Sequence, residues 1–263
     1  MKLVAAAADV VRHPRPGLVV LIYHRVGERT PIEVDLPGSL FDEQMNFLRS
    51  HCEVVTLTEG LARVAAAGLV LDRPLVAVTF DDGTADFAEI ALPILDRYRI
   101  PVTLYVTTDF LESGRSFPDD GVPLSWDALR AACSTGLVDV GSHTHTHALL
   151  DRLAADRVPA ELDWSIALIQ ERLGISPRHF AFPKAVPGSP AADAAVRERF
   201  DSAAIAGCRA NVPGATDPWH LTRTPIQKFD GMRWFEPKVR GGMGFEDTLR
   251  RAFNRRRYAR STT

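Results

Sequence analysis

The sequence predicts an α/β fold, a single barrel of about seven parallel strands, and three observations predict it. Short apolar runs rich in β-branched residues alternate along the chain with stretches of helical periodicity. A length of 263 residues with 46% hydrophobic content suits one large α/β barrel and its core. The residues that carry chemistry fall just past the ends of the apolar runs, where parallel barrels place their sites. The whole chain, 1–263, reads as one domain, with a core over about 18–228 and a basic tail over about 245–263.

Leu18-Val19-Val20-Leu21-Ile22-Tyr23 is continuously apolar, as a strand buried on both faces must be, and ends in His24-Arg25-Val26-Gly27. A Pro-rich loop follows, then Ser39 as an N-cap before the helical stripe Phe41, Met45, Leu48. Residues 52–57 form a strand, and Thr58 caps a short helix to about residue 68. Leu75-Val76-Ala77-Val78-Thr79-Phe80 is the central strand, ending in Asp81-Asp82-Gly83. Phe87, Ile90, Ala91, Ile94 and Leu95 trace a helix that Pro93 kinks. A strand over 101–106 leads into a rim loop over 107–124, and Ser125 opens the next helix, with Trp126 packing. Val138-Asp139-Val140-Gly141-Ser142 is a strand that runs into His143-Thr144-His145-Thr146-His147. A helix over 154–173, a strand over 179–183, a helix over 191–200 and a strand over 202–206 complete the alternation.

Two adjacent carboxylates at a strand end repel each other and lose hydration, so a positive group must compensate them. Alone, Asp-Asp-Gly also reads as a turn, with Thr84 or Asp86 capping the following helix. The histidines shift the balance. His143 and His147 are four apart, which on a helical turn puts both on one face at metal-ligand spacing. One carboxylate with two such histidines makes a facial triad with open positions, and leaves the second carboxylate free as a base.

These two stretches resemble the NodB-homology polysaccharide deacetylases, carbohydrate esterase family 4. Thr79-Phe80-Asp81-Asp82-Gly83 matches the first motif of that family and Ser142-His143-Thr144-His145-Thr146-His147 the second; the resemblance spans residues 19–226. It implies a distorted parallel β/α barrel and metal-dependent N-deacetylation of an amino sugar or polysaccharide. It also implies roles: Asp81 as base, and Asp82, His143 and His147 as metal ligands. A set of two histidines and one aspartate suits Zn²⁺ first, with Co²⁺ or Ni²⁺ as alternatives. Tyr23-His24-Arg25-Val26 resembles a subgroup with permuted motif order, in which an early His replaces the late general acid. His24 is therefore the candidate acid and His220 the alternative; His145 and Asp86 are bystanders.

The third family motif ends in Pro-Tyr-Gly, and here it reads Phe182-Pro183-Lys184-Ala185. Pro183 and Lys184 are the expected substrate-contacting residues. The backbone N–H of Lys184 can still face an oxyanion, and its ammonium can meet a substrate carboxylate or phosphate. The lost Gly brings the loop shape into question. An Arg that orients the base in many relatives is Ala181 here, and Leu221-Thr222-Arg223 resembles a late Leu-Pro-Arg segment, so Arg223 is expected to hold Asp81 rather than form a surface ion pair.

Composition narrows the function classes. Net charge is −2, with no bias toward nucleic acid. The three cysteines, Cys52, Cys133 and Cys208, are scattered and outside any CxxC, so they read as small buried residues. The apolar run over 3–8 is at the short limit for a signal peptide and lacks a clear cleavage site, so a cytoplasmic chain is expected, although relatives acting on surface glycans point to the cell envelope. The Arg-rich tail reads first as an exposed helix end and second as a weak contact with an anionic membrane or polyanion. The competing function classes are an amidohydrolase for a non-sugar amide and a catalytically silent glycan-binding module.

Overall fold

The computed structural model of the protein describes Lys2, residues 15–66 and residues 69–244. The N-terminal apolar run and the basic tail lie outside the described residues. Among the described residues there are ten strands: β1 (Leu18–Tyr23), β2 (Arg25–Val26), β3 (Asp35–Leu36), β4 (Glu53–Val54), β5 (Leu75–Phe80), β6 (Val102–Val106), β7 (Val138–Ser142), β8 (His179–Ala181), β9 (Ser202–Ala206) and β10 (Leu221–Pro225). The α-helices among them are α1 (Gly38–His51), α2 (Leu57–Ala65), α3 (Leu92–Tyr98), α4 (Thr108–Ser113), α5 (Trp126–Ser134), α6 (Val158–Leu173), α7 (Pro190–Arg197) and α8 (Gly231–Val239).

Seven parallel strands close a ring in the order β1-β10-β9-β8-β7-β6-β5, with β5 returning to β1. The ring is uneven. β1 and β5 share six residue pairs from Leu18↔Leu75 to Tyr23↔Phe80, whereas β7 and β8 share only Ser142↔Phe180. β4 pairs with the start of β5, below the point where β6 joins it. Inside the ring, Leu18, Val20, Leu75, Ala77, Tyr105, Ala181, Ala204 and Leu221 form one apolar cluster, which Leu57 and Val64 of α2 join from below. Gly141 makes this packing possible: a Cβ there would lie 2.4 Å from the Tyr105 ring and 2.8 Å from the His179 carbonyl. Larger apolar clusters fill the layer between strands and helices.

Local chemistry moved several boundaries. Pro37, not Ser39, precedes α1, and no side chain caps it. Thr56, not Thr58, caps α2 by accepting the Glu59 N–H, while the Thr58 hydroxyl pairs with His179 instead. Pro93 sits in the first turn of α3, just after a π-helical turn over Phe87–Ala91, so it starts a helix rather than kinking one. The expected rim loop contains α4, and α6 begins at Val158 because Pro159 belongs in a first turn. Ser125 caps α5 as expected, and the three cysteines are free, with Cys52 and Cys208 buried.

Candidate metal centre and catalytic site

The site lies at the C-terminal ends of the strands. β5 delivers Asp81 and Asp82 through a sharp reversal: Asp82 has φ +74° and Gly83 φ +90°. Gly83 is required there, since L side chains avoid that region and an added Cβ would press on Val106 at 3.2 Å. The reversal points consecutive carboxylates differently. Asp81 turns into the barrel and is buried, while Asp82 stays half-buried.

The histidine segment is not a helical turn, as the spacing had suggested. It is an irregular loop in which Thr144 (φ +67°) and His147 (φ +64°) adopt left-handed conformations. These two bends bring the imidazoles together, with ring centroids 5.0 Å apart. Asp82 Oδ1 lies 3.7 Å from His143 Nε2 and 3.5 Å from His147 Nε2. One ligand atom from each of the three residues falls within 4.8 Å of the others. His143 Nδ1–H donates to the Ala181 carbonyl at 2.7 Å, which fixes its tautomer and leaves the Nε2 lone pair toward the carboxylates. Burial, then the neighbouring His143, push His147 down to about 4, which favours a ring with a lone pair to give.

Arg223 is fully buried. Its guanidinium meets Asp81 fork to fork, at 2.5 and 2.8 Å. Thr79 Oγ1 also accepts from Arg223 at 3.2 Å, and Tyr105 packs beneath the guanidinium at 5.0 Å. Burial alone would raise the Asp81 pKa, but Arg223, then His143, and also His24 bring it down to about 2. Asp81 is therefore ionised throughout the neutral range.

His24 follows β1 directly. The Tyr23↔Phe80 register and the Asp81 N–H to Tyr23 carbonyl bond (3.0 Å) place His24 beside Asp81. Its Nδ1 is buried without a hydrogen-bond partner among the described residues. His220 is engaged elsewhere, with Asp217 at 2.8 Å and Asp193 at 3.1 Å. His145 pairs with the Thr108 hydroxyl and packs on Trp164. Asp86 does not cap a helix; its carboxylate accepts the Val26 N–H at 2.7 Å and ties β2 to the barrel.

Pro183 is buried and Lys184 exposed at the end of β8. The loop keeps its turn without glycine: Lys184 (φ +53°) and Ala185 (φ +54°) are both left-handed, and the Ala185 N–H donates to the Phe182 carbonyl at 2.8 Å. Sequence reasoning missed Glu161, which is buried and accepts both the N–H (2.5 Å) and the hydroxyl (3.0 Å) of Thr146, anchoring the loop between the histidines. A signal existed. Val158, Glu161, Leu162, Ser165 and Ile169 form the buried stripe of α6, so Glu161 is a carboxylate on a core-facing row.

The barrel thus brings two histidines and an aspartate, a group that could hold a metal ion, together beside an arginine-held carboxylate. Residues 70–198 match the polysaccharide deacetylase family. The chain is 28% identical over 155 residues to the poly-β-1,6-N-acetyl-D-glucosamine N-deacetylase of Staphylococcus epidermidis, covering 53% of this chain and 52% of that protein. It is 20% identical over 112 residues to a bifunctional xylanase/deacetylase of Pseudobutyrivibrio xylanivorans, covering 43% of this chain and 17% of that protein. The chain thus spans about half or less of the curated relatives it matches. Among solved structures, IcaB from Ammonifex degensii superposes with a TM-score of 0.73 at 27% identity, over 85% of this chain and 98% of that one. The Streptococcus pyogenes deacetylase PplD, solved with acetate, shares the fold at a TM-score of 0.73 and 20% identity, over 84% of this chain and 97% of that one.

Proposed function

We propose that the protein is a metal-dependent N-deacetylase of an N-acetylated sugar or polysaccharide. The observation that carries this is the buried, bidentate Arg223–Asp81 pair set directly beside the Asp82, His143 and His147 cluster. The donor set fits a divalent transition metal: two imidazole nitrogens and one carboxylate oxygen converge, and the Ala181 carbonyl locks one ring in the required tautomer. Asp82, His143 and His147 would hold the ion, Zn²⁺ first and Co²⁺ or Ni²⁺ next. When bound, such a metal supplies Lewis acidity and lowers the pKa of a water from 15.7 to about 7.

The chain's own groups divide the remaining work. Asp81, ionised and aimed by Arg223, takes the proton of the attacking water. The leaving amine also needs a proton, and His24, which stands beside Asp81, supplies it. His220 is bound to two carboxylates and is the weaker candidate. The backbone N–H at Lys184 is the oxyanion donor, and Pro183 fixes the turn that presents it.

The test is acetate release from N-acetylhexosamine oligomers by the zinc-reconstituted protein. Wild type should release acetate, and Asp81→Asn should lower kcat about 10²- to 10⁴-fold with the fold retained. Oligomer binding without acetate release by wild type would contradict the reading and favour a glycan-binding module.

A further inference from the structure

Arg223 is held by more than the edge that meets Asp81. The fork to Asp81, and the bond that Nη1 donates to Thr79 Oγ1 at 3.2 Å, fix the guanidinium within its own plane. They resist less a tilt out of that plane, and a tilt would re-aim the carboxylate. The Tyr105 ring supplies the missing restraint: the guanidinium carbon stands 5.0 Å from the ring centroid. Both side chains are wholly buried, and a cation is drawn to an aromatic face most strongly where water is excluded. The seat of the ring is itself built. Tyr105 of β6 stands opposite Gly141 of β7, and a Cβ at 141 would lie 2.4 Å from Cδ1 and 2.7 Å from Cε1 of the ring. The ring therefore fills the space that a side chain at 141 would need, on the strand that delivers His143 two residues later. Ala181, whose carbonyl orients His143, packs in the same apolar cluster. The phenol is not what the site uses: its oxygen is buried without a hydrogen-bond partner among the described residues. An unpaired buried hydroxyl costs stability, which leaves the aromatic face as the working part.

We propose that Tyr105 is a positioning residue for the reaction: its ring, seated against Gly141, holds the Arg223 guanidinium in the plane from which Asp81 is aimed beside the metal cluster. This rests on the deacetylase reading. Tyr105 is wholly buried and acts through Arg223 rather than on substrate. Its loss therefore falls on kcat and leaves KM and bound zinc unchanged, and phenylalanine, which keeps the face, replaces it.

The experiment measures acetate release from an N-acetylhexosamine oligomer by the zinc-loaded protein, with zinc per chain and urea unfolding recorded alongside. Tyr105→Phe should keep kcat within about twofold of wild type. Tyr105→Leu and Tyr105→Met, which fill the space without a ring, should lower kcat about tenfold with KM and zinc content near wild type. Arg223→Lys has already lost the fork, so adding Tyr105→Leu to it should lower kcat by less than about twofold further. Wild-type kcat in Tyr105→Leu, or an equal loss in Tyr105→Phe and Tyr105→Leu, would overturn the assignment. So would a further loss of about tenfold in the Arg223→Lys background. If both ringless variants lose zinc or cooperative unfolding, the ring serves the core alone and the assignment falls as well. In each of these outcomes wild type still releases acetate, so the deacetylase reading stands. No release by wild type would overturn that reading, and the assignment with it.

Discussion

The barrel holds two buried histidines one strand apart, and they differ in what their second nitrogen faces. His179, at the start of β8, is saturated: Nδ1 meets the Ser202 hydroxyl at 2.9 Å and Nε2 the Thr58 hydroxyl at 2.8 Å. His143, at the end of β7, spends Nδ1 on the Ala181 carbonyl and turns Nε2 toward Asp81 and Asp82, at 3.8 and 3.7 Å. Both rings are equally buried, at 1% exposure, so burial does not distinguish a structural histidine from a ligand. The distinction is an unspent lone pair set among crowded carboxylates.

The largest effect should separate these two residues directly. His143→Ala should lower kcat/KM for acetate release by roughly 10³-fold or more. His179→Ala should keep kcat/KM within about threefold and instead lower stability by about 1–3 kcal/mol, read by urea unfolding. Equal losses of activity would contradict the contrast between the two histidines. The next effect sharpens the contrast around Asp81. Arg223→Met leaves a buried carboxylate unpaired and should cost about 3–5 kcal/mol of stability. Arg223→Lys keeps the charge but loses the fork, and should lower kcat about 10- to 100-fold with KM little changed.

A smaller effect concerns the loop that aims the histidines. Glu161→Gln should weaken metal affinity about tenfold, measured by competition with a chromogenic chelator, because Thr146 loses part of its anchor. The smallest is a pH slope away from the site. Burial would raise the Asp230 carboxyl, but the charge of Lys238, then the bond from Lys2, hold it below the usual range. With a depressed folded pKa, the unfolded chain takes up the proton first. The contribution is therefore complete well above the usual carboxylate value of about 3.9 and lost as pH falls through it toward the folded value. Asp230→Asn should flatten that acid slope in unfolding measured between about pH 5 and 2.5.

Much of this architecture was legible in the residues. The continuous apolar runs at Leu18–Tyr23 and Leu75–Phe80 are strands with every residue buried, because strands of a closed parallel barrel have no solvent face. Asp81, Asp82, His143 and His147 announced themselves by type and spacing, and the structure brings them together. The convergence was legible but not its route: spacing implied a helical turn, whereas left-handed Thr144 and His147 do the bending, and no side-chain pattern encodes that. Contacts that depend on tertiary register, such as Arg223 reaching Asp81 across 142 positions, were visible only through resemblance. The Ala181 carbonyl and Glu161 were hidden for opposite reasons: one is backbone, and the other looks like an ordinary helix carboxylate.

The central claim is that Asp82, His143 and His147 form one metal site and that His179 takes no part in it. Elemental analysis of purified wild type, His143→Ala and His179→Ala, each reconstituted with zinc and freed of loose metal, tests it most directly. The account predicts about one zinc per chain in wild type and in His179→Ala, and little in His143→Ala. No zinc in wild type, or as much in His143→Ala as in wild type, would contradict it.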